Sequence, residues 1–288
     1  MYVPEQRCLC VRQFDLRATM KRLILFLFAL LWATSAWAAL ARDGTPVQGH
    51  IAGAAASTVA SAAFTNTNTT AVVLAFVGIA DGTNTRTVSS LACGSLTLAL
   101  VTGSRIQGVT SSFNHGDLEV WYAVESGTAL TSQTCTATLS GTATSADILI
   151  IAFSGENTTT PFDTNGSLPV TASNLSGVAS APSVTISTTN ANTVLLTAGQ
   201  VPGAAWNSGS APTYPTGFTG YFVSGFTGSP NFYNNDMAVA YEIVSSAQSS
   251  TAVAFGTTSI NWLDTGDAVR IAGAAATLCT RSMMGVGC

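Results

Sequence analysis

The stretch Asp117–Glu125, which reads DLEVWYAVE, constrains the fold most because its residues alternate strictly. Leucine, valine, tyrosine and valine hold the even positions, whereas the odd positions carry mainly acids together with Trp121. A period of two is typical of a β-strand with one dry and one wet face. A second run, Ile148–Phe153, is apolar throughout and predicts a strand buried on both faces. These two runs predict the core of an all-β fold.

Strand and turn signals recur along the chain beyond residue 57. Runs of β-branched and aromatic residues alternate with Gly, Asn, Asp and Pro, and no helical periodicity appears. This pattern predicts an antiparallel two-sheet β-sandwich, jelly-roll-like, over residues 57–273. Residues 39–56 predict a flexible linker, and 274–288 predict a tail. The predicted strands are Thr58–Phe64, Ala71–Ala80, Val88–Val101 (one strand or a hairpin), Asp117–Glu125, Cys135–Leu139, Ser145–Phe153, weaker strands within Val170–Ser187, then Asn192–Gly199, Asp236–Val244, Thr251–Phe255 and Gly266–Ala272.

Residues 20–38 have the features of a bacterial secretion signal. The basic pair Lys21-Arg22 precedes the apolar run Leu23–Trp32, and Ala36-Trp37-Ala38 supplies the small-x-small cleavage pattern. We expect a signal helix that is cut after Ala38, with a cut after Ala41 as the second option. Met20 is a plausible start, which makes residues 1–19 a mis-assigned upstream extension. An uncleaved membrane anchor is the alternative, and the expected location is otherwise extracellular.

The chain beyond the leader is acidic. Its five arginines face twelve Asp and Glu residues, which gives a net charge of −7. Such a surface repels phosphate backbones, so we expect no nucleic-acid partner. We expect contact with a membrane only through an uncleaved leader. The partners that remain are a glycan or other surface or virion proteins.

Four cysteines follow the leader: Cys93, Cys135, Cys279 and Cys288. An even number in an exported chain favours disulfides, for which three pairings are possible. Proximity in the sequence favours Cys93–Cys135 within the sandwich and Cys279–Cys288 as a small loop in the tail. Zinc is the weaker alternative, since the chain has no CxxC motif and only two histidines.

The predicted domain resembles a loose family of β-sandwich modules found in secreted bacterial surface proteins and in phage virion-associated proteins. The resemblance implies a role in surface display, adhesion or virion architecture, and it implies no catalytic residues. It is carried by Val88-Ser89-Ser90-Leu91 ahead of Gly94 and Leu96-Thr97-Leu98, by Leu118-Glu119-Val120-Trp121-Tyr122, by Phe153-Ser154-Gly155 with Thr160-Pro161-Phe162-Asp163, and by Ala268-Val269-Arg270-Ile271.

The polar side of the first predicted strand is one candidate site. His115, Asp117 and Glu119 fall on the same side as Trp121 if the strand begins early enough. Three ligating groups beside an indole suit a divalent cation such as calcium, or a sugar stacked on the ring. The alternative is an ordinary solvated face with Trp121 covered by a neighbouring loop.

The segment 213–235 is a second candidate because aromatic rings alternate there with Gly, Ser and Thr. Such a composition suits sugar stacking in a carbohydrate-binding module. The alternative is that the rings fill the core. The candidate binding residues are Tyr214, Phe218, Tyr221, Phe226, Phe232 and Tyr233, together with Trp121.

No combination of nucleophile and base with a recognised spacing is present. The chain has no G-x-S-x-G element, and nothing close in sequence orients His50 or His115. Carboxylates two residues apart on a strand, such as Asp117 and Glu119, lie about 7 Å apart, within reach of glycosidase geometry. A glycan-active enzyme is therefore the last alternative. We expect a secreted protein without enzymatic activity or cofactor, with a structural or adhesive role.

Overall fold

The computed structural model describes residues 39–111, 114–176, 178–203, 206–224, 235–256 and 261–272, all within one compact unit. These residues form an all-β fold of antiparallel strands with a single 3₁₀ turn, Trp206–Gly209. None of them belongs to a helix that is long and apolar enough to cross a membrane. The strands are β1 (Ala41–Phe64), β2 (Ala71–Asp81), β3 (Val88–Cys93), β4 (Leu96–Leu100), β5 (Ile106–Ser111), β6 (Asn114–Val124), β7 (Gln133–Ser154), β8 (Val170–Asn174), β9 (Ser183–Ile186), β10 (Thr193–Pro202), β11 (Thr219–Ser224), β12 (Asn235–Val244), β13 (Thr251–Ala254) and β14 (Trp262–Arg270).

The first sheet closes on itself as a barrel, and we call it the closed sheet. Its strands follow the order β1-β7-β2-β6-β4-β3, with β5 added beside β6, and β3 also pairs with β7. Strand β7 closes the ring because it is long enough to pair with β3 near Cys135 and with β2 along 145–154. The interior is filled by apolar side chains of these strands, including Val73, Trp121 and Ile148.

The disulfide Cys93–Cys135 joins β3 to β7 at directly opposed positions inside the closed sheet. Both cysteines are fully buried. The pairing that the sequence favours for these two residues is therefore confirmed. Cys279 and Cys288 lie outside the described residues, so their pairing stays a prediction.

Strand β1 occupies residues for which the sequence predicts a flexible linker. It pairs with β7 along its whole length, from Ala41 opposite Ser154 to Phe64 opposite Gln133. Its many Gly and Ala residues permit close approach: a Cβ added to Gly49 would lie 1.9 Å from the carbonyl oxygen of Ala60. The two halves of β1 therefore touch, and the linker predicted over 39–56 is instead a bent strand from Ala41 onward.

The second sheet packs against the outside of the closed sheet. Its strand order is β11-β12-β10-β14-β8, and an apolar core that includes Phe76, Leu149 and Met237 fills the space between the two sheets. We call this core the interlayer core. The antiparallel pair β9–β13 covers part of the opposite face of the second sheet, where Ile186 and Val253 contact Leu195.

Most of the predicted strands coincide with observed ones, but three features differ. Strands β5 and β11 lie in segments that are not among the predicted strands. The predicted strands Cys135–Leu139 and Ser145–Phe153 are parts of the single strand β7. The first sheet closes through β3 and β7, whereas a sandwich is built from two open layers.

Candidate functional site

The side of β6 that carries Asp117, Glu119 and Trp121 is buried, which contradicts the solvated face expected for it. The exposed fractions of these side chains are 1%, 0% and 8%. The reason is the closure of the sheet, which turns the odd-numbered residues of β6 toward the interior. A sugar therefore has no access to the ring of Trp121.

Glu119 is an internal acceptor rather than a metal ligand. It accepts hydrogen bonds from Arg105 Nε at 2.9 Å, from Trp121 Nε1 at 2.6 Å and from the backbone N–H of Val88 at 3.0 Å. Burial, followed by the hydrogen bond and the charge of Glu119, raises the pKa of Asp117 to about 9. At neutral pH Asp117 is therefore protonated, and Arg105 forms an ion pair with Glu119 beside it.

The third residue predicted on this face, His115, takes no part in that network. Its Nδ1 lies 3.1 Å from the hydroxyl of Thr85, and the side chain is half-buried. Among the residues whose placement is described, no group of three or more His, Cys, Asp and Glu side chains is arranged to hold a metal ion.

The described aromatic residues of segment 213–235 are divided between two faces of the second sheet. Tyr214 and Phe218 pack with Trp206 and Phe255 on the outer face. Tyr221 lies on the inner face and stacks on Tyr241, with ring centroids 6.4 Å apart. These rings therefore form no single binding platform. Phe226, Phe232 and Tyr233 lie outside the described residues.

A cleft that the sequence did not indicate lies where the loop 157–169 meets both sheets. Its walls include Tyr122, Phe162 and Pro169, and the first two rings meet edge to face at 4.9 Å. Asp163 and Asp267 also line it. Burial, followed by the charge of Asp163, raises the pKa of Asp267 to about 7, and its Oδ2 has no hydrogen-bond partner among the residues that the structure describes. The cleft thus places two aromatic rings beside a buried carboxyl group.

A buried polar cluster lies at one end of the interlayer core. Asn235 donates to Asp147 Oδ2 at 2.9 Å and to the carbonyl of Gly78 at 3.1 Å. Gln200 donates to Asn235 Oδ1 and to the carbonyl of Ile79, both at 2.8 Å. Burial, followed by the charge of Asp236, raises the pKa of Asp147 well above its usual value. An acid directly ahead of the apolar run Ile148–Phe153 is the sequence signal that could have revealed this cluster.

A fourth group of acids surrounds the start of β1. Burial would raise the pKa of Asp43, but hydrogen bonds from Thr67 and Asn68 hold it below its ordinary value. The pKa of Glu125 is raised, by burial first. Glu156 is only 3% exposed, and burial together with the charges of Glu125 and Asp43 raises its pKa to about 7.

Comparisons with protein-family models, with curated proteins and with solved structures find no match to this chain. Function must therefore be inferred from the residues alone. The described acids are held in separate networks of packing and hydrogen bonds, and each network joins strands that lie far apart in the sequence.

Proposed function

We propose that the chain is a secreted, non-enzymatic β-sheet module with a structural or adhesive role at a bacterial surface or in a phage particle. The observation that best supports this proposal is the dispersal of the buried carboxylates. Glu119, Asp147, Glu156 and Asp267 belong to four different regions of the fold. A reaction centre needs its acid, base and stabilising groups to converge on one reacting atom.

The disulfide and the closed sheet support the extracellular part of the proposal. The disulfide Cys93–Cys135 is typical of an oxidising compartment. A closed sheet exposes few unpaired strand edges, which suits a protein that must resist aggregation outside the cell. The jelly-roll-like kinship with surface and virion modules, and the helix expected for the leader, belong to the same proposal.

Export is tested by expressing residues 1–288 in a bacterial host and sequencing the amino terminus of the protein in each cell fraction. We expect mature protein outside the cytoplasm that begins at Ala39 and contains the disulfide. The matched control is Leu27→Arg, which interrupts the apolar run of the leader and should leave the protein uncleaved in the cytoplasm. Cytoplasmic retention of the unaltered chain would refute the export step.

The role at a surface needs a separate experiment. Antibodies against the mature protein, coupled to gold, should label intact producing cells or the particles that they release. Treatment with a protease before labelling should remove the signal, because surface proteins are accessible. A signal that appears only after the cells or particles are broken would contradict surface display.

Carbohydrate binding is the second candidate, and the cleft between Tyr122, Phe162 and Asp267 is the observation that favours it. Aromatic rings beside a small number of polar groups are the usual elements of a sugar site. The structural proposal expects no micromolar binding on a glycan array. Micromolar binding that is lost in Phe162→Ala would favour the cleft, whereas loss in Tyr221→Ala would favour the segment 213–235.

A further inference from the structure

The first residues of β1 bring the predicted cleavage site next to a buried acid. The antiparallel register pairs Ala41 with Ser154 and Asp43 with Ala152. This register stops at Ser154, where β7 ends, because Gly155 adopts a positive φ of 83°. Ala39 and Glu156 nevertheless line one cavity, of about 440 Å³. The cavity therefore places the first residue after the predicted cut near Glu156.

Glu156 lacks the partners that a buried carboxylate requires. It is 3% exposed, and neither carboxylate oxygen accepts a hydrogen bond from another described residue. The charged groups that act on it are Glu125 and Asp43, both acidic. The other residues that line the cavity are uncharged: Asn68, Thr70, Ser154, Gly155, Thr158 and Ala272. The nearest arginine in sequence to Ala39, Arg42, instead donates a hydrogen bond to the hydroxyl of Tyr221.

We propose that removal of the leader completes this site, because the new α-ammonium group of the exposed Ala39 forms an ion pair with the buried carboxylate of Glu156. The inference rests on the proposed export. In the cleavage step, a signal peptidase uses one water to hydrolyse the Ala38–Ala39 amide. The carboxyl group leaves with the leader, and the freed amine of Ala39 takes up a proton. Before that step the nitrogen of Ala39 is a neutral amide and offers Glu156 no charge.

The fold also distinguishes between the two predicted cleavage sites. Leu40 is 7% exposed and belongs to the interlayer core. A cut after Ala41 would remove this side chain from the core. It would also place the new amine on Arg42, which pairs with Phe153 rather than with Glu156. Cleavage after Ala38 keeps Leu40 in place and puts the charge on a residue that lines the same cavity as the acid.

The composition provides a selective experiment. Lys21 is the only lysine of the chain, so the α-amine of Ala39 is the only primary amine in residues 39–288. Dimethylation with ¹³C-formaldehyde keeps the positive charge and labels the amine for NMR. Acetylation removes the charge from the same atom. The two modified proteins are therefore a matched pair, and Glu156→Gln provides the matched variant because it keeps the shape and removes the acid.

If the ion pair forms, the dimethylated amine should titrate at a pH at least one unit higher than the same amine does in Glu156→Gln. The unmodified α-amine ordinarily titrates near 7.7–8.0. The acetylated protein should unfold at a lower urea concentration than the dimethylated protein, and this difference should vanish in Glu156→Gln. A glycine added before Ala39 displaces the amine and should also lower the pKa of the amine to its ordinary value. This variant keeps the test decisive if Glu156→Gln does not fold.

The inference is wrong if the amine titrates alike with and without Glu156, or if acetylation and dimethylation give equal urea midpoints. The protein for this test can be cut in vitro directly before Ala39, since the described strands lie within one compact unit that starts at Ala38. Failure of export in the host would then overturn the proposed function alone. Failure of the titration would overturn the ion pair alone.

Discussion

Individual buried acids in this protein are stabilised in two different ways. Asp163 has its oxygens occupied by donors from Thr189, Asn190 and Asn165, and these hydrogen bonds hold its pKa below the ordinary value despite burial. Asp264 receives one side-chain hydrogen bond, from Thr197, and burial raises its pKa well above the ordinary value. The first acid is stable as an anion, and the second is stable as a neutral group.

At the same scale, removal of Arg105 should be much more damaging than removal of Arg86. Arg105→Ala leaves Glu119, which is fully buried, without its counter-ion, and we expect a loss of about 2–3 kcal/mol in the free energy of unfolding. Arg86 lies 3.7 Å from Asp81 in a weaker pair, so Arg86→Ala should cost less than about 1 kcal/mol. Urea unfolding of both variants measures the difference. Equal losses would show that the Arg105–Glu119 pair carries no special weight.

At the scale of strands, the sequence predicts well which residues alternate along a strand. It predicts poorly whether each face of that strand is buried or exposed. Ala71–Ala80 and Ile148–Phe153 are apolar throughout, so their burial on both faces follows from composition. In β6 the alternation is equally clear, yet both faces are buried, because closure of the sheet depends on the distant pairing of β3 with β7. Residues 41–57 of β1 escaped prediction as a strand because their Gly and Ala residues carry no pattern, and pairing with β7 alone makes them a strand.

The candidate site shows the same limit. The disulfide between Cys93 and Cys135 was predicted correctly, because the two residues are close enough in the sequence for proximity to favour their pairing. The cleft at Asp267 and the acid at Glu156 combine residues separated by more than a hundred positions, such as Tyr122 with Asp267 and Ala39 with Glu156. Local patterns contain no information about such long-range contacts.

The bend of β1 predicts a sharp contrast between two glycine substitutions. In Gly49→Ala the new Cβ would overlap the carbonyl oxygen of Ala60 at 1.9 Å, and backbone cannot yield as a side chain can. We expect a loss of roughly 3 kcal/mol in the free energy of unfolding. Gly166→Ala adds a Cβ that meets nothing within 4 Å, so it should change stability by less than about 0.5 kcal/mol. Equal urea midpoints for the two variants would contradict the bent strand.

The disulfide should be a major stabiliser of the closed sheet. Replacement of both Cys93 and Cys135 by alanine removes a cross-link over 42 residues of sequence, and we expect a cost of about 4 kcal/mol. The measurement is urea unfolding of the oxidised protein and of the double variant. Peptide mapping without reduction should recover Cys93 joined to Cys135. Recovery of either cysteine joined to Cys279 or Cys288 would contradict the fold.

At the scale of the whole molecule, the stacked sheets leave acids in three apolar settings: the closed sheet, the interlayer core and the outer face of the second sheet. Asp117, Asp147 and Asp264 represent these settings, and the pKa of each is raised, with burial as the largest cause. Few cations accompany them, because the described chain carries only Arg42, Arg86, Arg105 and Arg270. The protein therefore keeps its core neutral mainly by protonation.

This arrangement predicts that stability falls as pH rises from 5 to 9. An acid with a raised pKa binds more protons in the folded state than in the unfolded state. Its contribution to the free energy of unfolding is fully present below the pKa of the unfolded state, which is near 3.8 for Asp. The contribution is lost as pH rises through the pKa of the folded state. Asp43 and Asp163, with lowered pKa values, act in the opposite sense and lose their contribution only as pH falls below about 4.

The urea midpoint should therefore be highest between about pH 4 and 5, where both groups of acids contribute. Asp264→Asn keeps an acceptor for the hydroxyl of Thr197 and removes one titrating proton, so the decline toward pH 9 should become shallower. Asp163→Asn should instead change the acid side of the profile, and it should also lessen the decline near neutral pH, because the charge of Asp163 raises the pKa of Asp267. A midpoint that stays level or rises from pH 5 to 9 would mean that the buried acids are ionised in the fold, and that the cores are far better solvated than their packing implies.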